Sequence, residues 1–221
     1  MTRGTTALVV CALLAAAGPT LAGPDWIEHG DAGSLVSTAQ ITFGTGQLDS
    51  ISGGLTGGAR AGDFEDVYLI RVTDPLLFSI QSGSGDFDPV LWIFNVSQAN
   101  QAFGLLANDN TPTSNFPHLT AFATDGTGAA LTKPGVYAVA VSGAGRYPVS
   151  NGGAIYFFAN STEVSGADGP GGILPHIGWA GEGQTGNYLI QTEGIGFHSA
   201  PAPGTAALLG LGGLLLTRRR R

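Results

Sequence analysis

The sequence predicts an all-β domain of the β-sandwich or jelly-roll kind, with an N-terminal signal peptide before it and a short hydrophobic C-terminal helix after it. Three observations carry this. Between residues 24 and 199 no segment keeps a helical period. Short β-rich runs recur there, separated by Gly, Pro, Asn and Asp. Turn signals fall every ~8–12 residues, the spacing of sandwiches and barrels. The composition agrees: 36 Gly and 12 Pro punctuate a chain that is 43% hydrophobic and only 11% charged. That is enough apolar residue for a core, and it excludes a coiled coil and a disordered chain.

In chain order, the first element is an address. Met1-Thr2-Arg3 precedes an apolar run from Ala7 to Ala17 and the small-residue exit Gly18-Pro19-Thr20-Leu21-Ala22. A positive start, an apolar stretch and a small-residue exit make a secretory signal, with cleavage expected between Ala22 and Gly23. The single cysteine, Cys11, leaves with it, so the mature chain has neither a disulfide nor a thiol nucleophile.

The expected strands of the body (residues 23–199) are Gln40–Phe43, Leu48–Leu55, Val67–Thr73, Leu76–Gln81, Val90–Asn95, Phe103–Asn108, Leu119–Thr124, Val136–Ser142, Ile155–Ala159 and Tyr188–Thr192. Asp74-Pro75 is a tight turn. Val67–Thr73 shows polarity at one end only, which makes it a central strand. Residues 143–186 read as long Gly-rich loops with one strand inside.

The third element runs Ala200-Pro201-Ala202-Pro203-Gly204-Thr205, then Ala206 to Leu216, then Thr217 and Arg218, Arg219, Arg220 and Arg221. Thr205 to Thr217 makes about 20 Å of helix at ~1.5 Å per residue. This is short of the ~20 residues that span comfortably. Four Arg hold the end on the cytoplasmic side. The expectation is a transient membrane anchor.

Pro201, Ala202, Pro203 and Gly204, the short apolar helix and the terminal Arg cluster resemble a PEP-CTERM sorting signal, with Ala202 where the family's motif has Glu. The resemblance implies export, an exosortase-type sorting protease as partner, and an exopolysaccharide-producing bacterium. A second resemblance covers about residues 48–198. Asp63-Phe64-Glu65-Asp66-Val67-Tyr68, Phe87-Asp88-Pro89-Val90-Leu91-Trp92-Ile93-Phe94, Leu106-Ala107-Asn108-Asp109-Asn110 and Pro134-Gly135-Val136-Tyr137-Ala138-Val139-Ala140-Val141 occur in that order. This is similar to the bacterial pre-peptidase C-terminal (PPC) domain. Gly178-Trp179-Ala180-Gly181 with Gly186-Asn187-Tyr188-Leu189-Ile190 resembles its closing strand. The likeness implies a β-sandwich module without catalysis of its own, related to accessory domains of secreted peptidases, some of which bind calcium or polymers.

Charge narrows the partners. Between residues 23 and 217 only Arg60, Arg71, Lys133 and Arg146 stand against 16 acidic residues, a balance of −12. Nucleic-acid binding relies on Lys and Arg at the phosphates, so that class is excluded. Nucleophilic catalysis finds no support. The histidines His29, His118, His176 and His198 fall apart with no metal spacing, and no Gly-x-Ser-x-Gly elbow exists. Asp86 and Asp88 share one side of an extended chain, about 6.5–7 Å apart, but no sugar-gripping groove can be identified around them.

One metal centre is expected. If the chain meanders through its four middle strands, one end of the sheet collects Asp63, Glu65, Asp66, Asp86, Asp88, Asn108 and Asp109, an oxygen set suited to calcium. A solvated acidic rim, with Asp and Asn placed for turns, explains the same residues. The function expected is a non-enzymatic, secreted protein of the envelope or extracellular matrix. The alternative is a carbohydrate-binding or adhesion module using Trp26, Trp179 or the long loops, with exopolysaccharide as partner.

Two outcomes follow for maturation. N-terminal sequencing of exported protein is expected to read from Gly23. Deletion of residues 201–221 is expected to leave a folded domain that no longer passes through a membrane-bound form, checked by circular dichroism and fractionation.

Overall fold

The computed structural model describes residues 24–58 and 62–199, and no helix occurs among them. The expected signal peptide (1–22), the C-terminal segment (200–221) and Arg60 lie outside the described residues. The chain forms β1 (Asp25–Ile27), β2 (Gln40–Ile41), β3 (Ser50–Leu55), β4 (Glu65–Val72), β5 (Ser79–Gly85), β6 (Pro89–Val96), β7 (Ala102–Asn108), β8 (His118–Thr120) and β9 (Gly135–Gly143). It continues through β10 (Tyr147–Ser150), β11 (Gly153–Ala154), β12 (Ser165–Gly166), β13 (Gly178–Ala180), β14 (Gly186–Glu193) and β15 (Ile195–Phe197).

Two sheets face each other. The front sheet runs β1-β3-β14-β5-β8; the back sheet runs β12-β7-β6-β9-β4-β15, with β2 also on β4. Pairing is antiparallel except β1 with β3 and β2 with β4. Pleating explains the layering, because successive side chains point to opposite faces. In β4, Tyr68, Ile70 and Val72 enter the core between the sheets, where they join Ile51, Ile80, Leu119 and Ile190 of the front sheet. Val67 and Leu69 enter a second core behind the back sheet, with Val90, Trp92, Phe94, Ala138 and Ala140. The continuous apolar runs of β4, β6 and β9 are thus strands buried on both faces, and Val67–Thr73 is central as expected.

The second core is closed by chain from the Gly-rich region. Ile155 and Tyr156 pack there, and Trp179 donates its indole N–H to Ser34 O at 2.6 Å. Tyr156 also repairs a defect. The β6–β7 register slips between Ile93 and Phe94, leaving Leu105 as the extra residue of a bulge. The Tyr156 hydroxyl accepts from Leu105 N at 2.9 Å and donates to Ile93 O at 2.8 Å. Both backbone groups orphaned by the bulge are satisfied.

Several expectations are corrected. Ile155–Ala159 is irregular, not a strand, because its side chains plug the second core instead of pairing. Residues 143–186 hold four short strands, not one; β10, β11 and β13 form a small sheet of their own. Leu76 and Leu77 belong to the turn and are exposed at 90% and 52%. The chain does not meander. β4 and β6 lie in the back sheet and β5 in the front, since the Asp74-Pro75 turn, with Asp74 Oδ1 accepting from Leu76 N, carries the chain across. Gly194 makes the return crossing from β14 to β15 at φ +70°, where an added Cβ would lie 2.4 Å from Asp74 O.

His176 is buried beneath the loops, stacked on Phe94 at 5.0 Å and edge-on to Trp179 at 5.1 Å. Burial depresses its pKa from 6.5 to about 4. The unfolded chain therefore takes up this proton first as pH falls. Stability is full above 6.5 and declines down to about 4, by about 3 kcal/mol for such a shift. Replacing His176 by Phe is expected to flatten that part of the pH–stability profile, measured by urea unfolding between pH 7 and 4.

Candidate metal centre

Three chain segments meet at the start of β4. The first is the stretch after β1. Glu28 N donates to Ser52 O at 2.8 Å, and Glu28 Oε2 accepts from Gly54 N at 2.8 Å. Asp31 Oδ1 accepts from Gly33 N at 2.7 Å, an Asx turn that needs the left-handed Gly33 at φ +74°. Gly33 O then accepts from Val67 N at 3.0 Å, tying the turn to β4. The second is the loop after β3, where Thr56 donates to Asp63 Oδ2 through its N–H (2.9 Å) and its hydroxyl (2.5 Å). The third is β4 itself. Its pleat points Asp66 inward, where Tyr188 of the front sheet donates to Asp66 Oδ2 at 2.6 Å and shares a 2.6 Å hydrogen bond with Tyr68.

Asp31, Asp63 and Asp66 are the result: one oxygen of each lies within 4.8 Å of the others. Asp63 is 3% exposed and Asp66 0%, yet Oδ1 of both lacks a hydrogen-bond partner, as does Glu28 Oε1. Burial, with the charges of Glu28, Asp63 and Asp31 adding to it, pushes the Asp66 pKa up to about 8 against the stabilising Tyr188 bond. Burial also raises Glu28. Among the described residues no Lys or Arg is ion-paired with this group.

The donor set fits calcium. All its atoms are carboxylate oxygens, and ligands bound at 2.3–2.6 Å stand up to ~5 Å apart across the ion. The Asp63 and Asp66 oxygens without partners are costly as they stand. A hard cation would satisfy both.

The seven residues expected at one centre are divided. Asp63 and Asp66 come together, joined by Asp31, which the sequence reading passed over. Glu65 points the other way and takes Arg146 in a bidentate ion pair, with Nε to Oε2 at 2.8 Å and Nη2 to Oε1 at 3.2 Å. Asn108 is a fixed connector: its amide donates to Asn110 O and Glu163 O and accepts from His118 N. Asp88 and Asp109 form a second acidic pair. Burial and then Asp88 push Asp109 up to about 6. Asp86 is exposed and accepts from Asn187 Nδ2 at 3.3 Å.

The tryptophans named as sugar contacts are otherwise engaged. Trp26 is 3% exposed, with its indole N–H on Gln40 Oε1 at 2.8 Å, and Trp179 packs on Trp92. His118 Nε2 meets Ser79 Oγ at 3.0 Å on β5 and β8.

In comparisons with known proteins the chain matches no protein-family model and no curated relative.

The Glu65–Arg146 pair is set against a nearly inaccessible carboxylate. Replacing Arg146 by Ala leaves that charge unpaired and also abandons Gly181 O, which Arg146 Nη1 holds at 2.8 Å. The expected loss is about 3–5 kcal/mol, read as a lower urea midpoint. A Glu65→Gln/Arg146→Ala double variant is expected to recover part of it.

Proposed function

We propose that this chain is a non-enzymatic, secreted β-sandwich protein of a bacterial envelope or extracellular matrix, exported by its N-terminal segment and processed at its C-terminal sorting segment by an exosortase-type protease. The observation that carries the reading is the Asp31–Asp63–Asp66 group, taken as a calcium site. Three carboxylates with oxygens left without partners suit a protein that matures where calcium is plentiful, and calcium sites of extracellular modules work at about 10⁻⁴–10⁻³ M.

The role of the ion follows from which segments supply the ligands. Asp31 comes from the stretch after β1, and Asp63 and Asp66 from the entry to β4. A bound cation cross-links the N-terminal segment to the back sheet and offsets the negative charge gathered there. It performs no chemistry on a substrate. The tail pattern Pro201–Gly204, apolar run and Arg218–Arg221 supports transient membrane attachment, and the PPC-like motifs support a module that binds rather than catalyses.

Thermal unfolding in calcium and in chelator tests this. At a hundredfold excess over Kd, calcium is expected to raise Tm by roughly 5–10 °C. Asp31→Asn and Asp63→Asn are each expected to abolish the rise. Asp88→Asn, which lies in the other acidic pair, is expected to keep it. Identical melting curves in calcium and chelator would remove the reading.

A further inference from the structure

The outer face of the front sheet is largely polar. Its strands turn apolar side chains inward and mostly polar ones outward, with Ile27 on β1 and Leu189 on β14 as the outward exceptions. In β14, Tyr188 and Ile190 are buried, while Asn187, Gln191 and Glu193 are exposed. Register then aligns the outward residues into rows. Asp25, Ser50, Gln191, Gln81 and His118 lie directly opposite one another across β1, β3, β14, β5 and β8. Glu193, Ser79 and Thr120 form the next row. Neighbours within this face are already bonded: Ser50 Oγ to Asp25 Oδ1 at 2.7 Å, Gln81 Nε2 to Gln191 Oε1 at 3.1 Å, and Ser79 Oγ with His118 Nε2 at 3.0 Å. Those bonds hold the rows in place before any ligand arrives, which lowers the ordering cost of binding.

Three shallow depressions, of about 300, 300 and 350 Å³, follow the β5–β14 seam from Glu193 and Ser79 at one end to Asp86 and Gln184 at the other. Gln and Asn amides each offer a donor and an acceptor, and carboxylates accept only. Ligands rich in hydroxyls, themselves donors and acceptors, match such a surface. The outward apolar residues Ile27 and Leu189 share a row with Ser52 and Ser84, apart from the Gln81–Gln191 row.

Charge selects further. Asp25, Asp49, Asp86 and Glu193 stand on or beside the face. The described cations lie off its strands: Arg71 is on β4 of the back sheet, and Lys133 and Arg146 sit in the connections before and after β9. An anionic polymer would be repelled and an ammonium group drawn in.

We infer that the outer face of the front sheet binds a polyhydroxylated, amine-bearing glycan along the β5–β14 seam, through hydrogen bonds from the Gln81–Gln191 row and through the carboxylates around it. This site uses none of Asp31, Asp63 and Asp66, so it stands or falls apart from the cation reading.

Calorimetric titration of the full-length chain with a glucosamine hexamer tests it, with the N-acetylated hexamer and a uronic-acid hexamer as further probes. The glucosamine hexamer is expected to bind and the uronic-acid hexamer to give no signal. A Gln81→Ala/Gln191→Ala variant is expected to weaken binding roughly tenfold or more, the scale of one or two lost hydrogen bonds. An Asp25→Asn/Glu193→Gln variant is expected to weaken the glucosamine hexamer and leave its acetylated form unchanged. These residues are exposed or half-buried, so unaltered melting of both variants confirms that the fold is intact. No binding of the glucosamine hexamer, equal affinity for both hexamers in the parent chain, or unchanged affinity in the Gln81/Gln191 variant overturns the inference.

Discussion

The arrangement of this domain hangs on a carboxylate held inside the sandwich. Asp66 has no exposed surface, and the hydroxyl of Tyr188 reaches it from the opposite sheet at 2.6 Å. Tyr68, two residues along the same strand, shares that hydroxyl. Burying a carboxyl group is costly unless it is bonded. The bond therefore specifies where β14 must sit relative to β4. Around it the inter-sheet core is apolar, and a slip of one residue in β4 would turn Asp66 and Tyr68 out and bring Glu65 and Val67 in. The register of the back strand and the docking of the two sheets are thus tied to one polar contact.

The same pleat explains what could and could not be read in the sequence. β4, β6 and β9 were legible because strands buried on both sides are written as unbroken apolar runs. The strands β10 to β13 were not, because two to four residues among Gly and Pro carry no period to detect. Pairing was misjudged for a different reason. Neighbours in sequence were taken as neighbours in a sheet, whereas here the chain crosses between the two facing sheets after β1, β2, β3, β4, β5, β7, β8 and β14.

At the acidic centre the composition was a good guide and the grouping was not. Asp63 and Asp66 were legible as oxygen donors at a strand entry. Glu65 and Asp66 are adjacent in an extended strand and must point to opposite faces, so parity alone would have separated them. Asp31 is 32 residues before Asp63 in sequence. Its one local signal, Asp-Ala-Gly, is that of an Asx turn. The turn reaches β4 because the strand after it, β2, pairs with β4 and Val67 N bonds Gly33 O, and long-range pairing of this kind leaves no mark in a single sequence.

β15 has a mechanical consequence. The described chain ends at Ser199, just after Ile195, Gly196 and Phe197 pair with Val72, Arg71 and Ile70, and Ser199 bridges to Phe43 beyond β2. β2 and β15 share the same free edge of β4. A tensile load applied at residue 199 would fall first on this short clasp at the sheet edge. The inner strands, with β9 between β4 and β6, would be shielded until the clasp yielded. The edge is thus the seam that a pull on residue 199 would open before it reached the strand that bears Asp66.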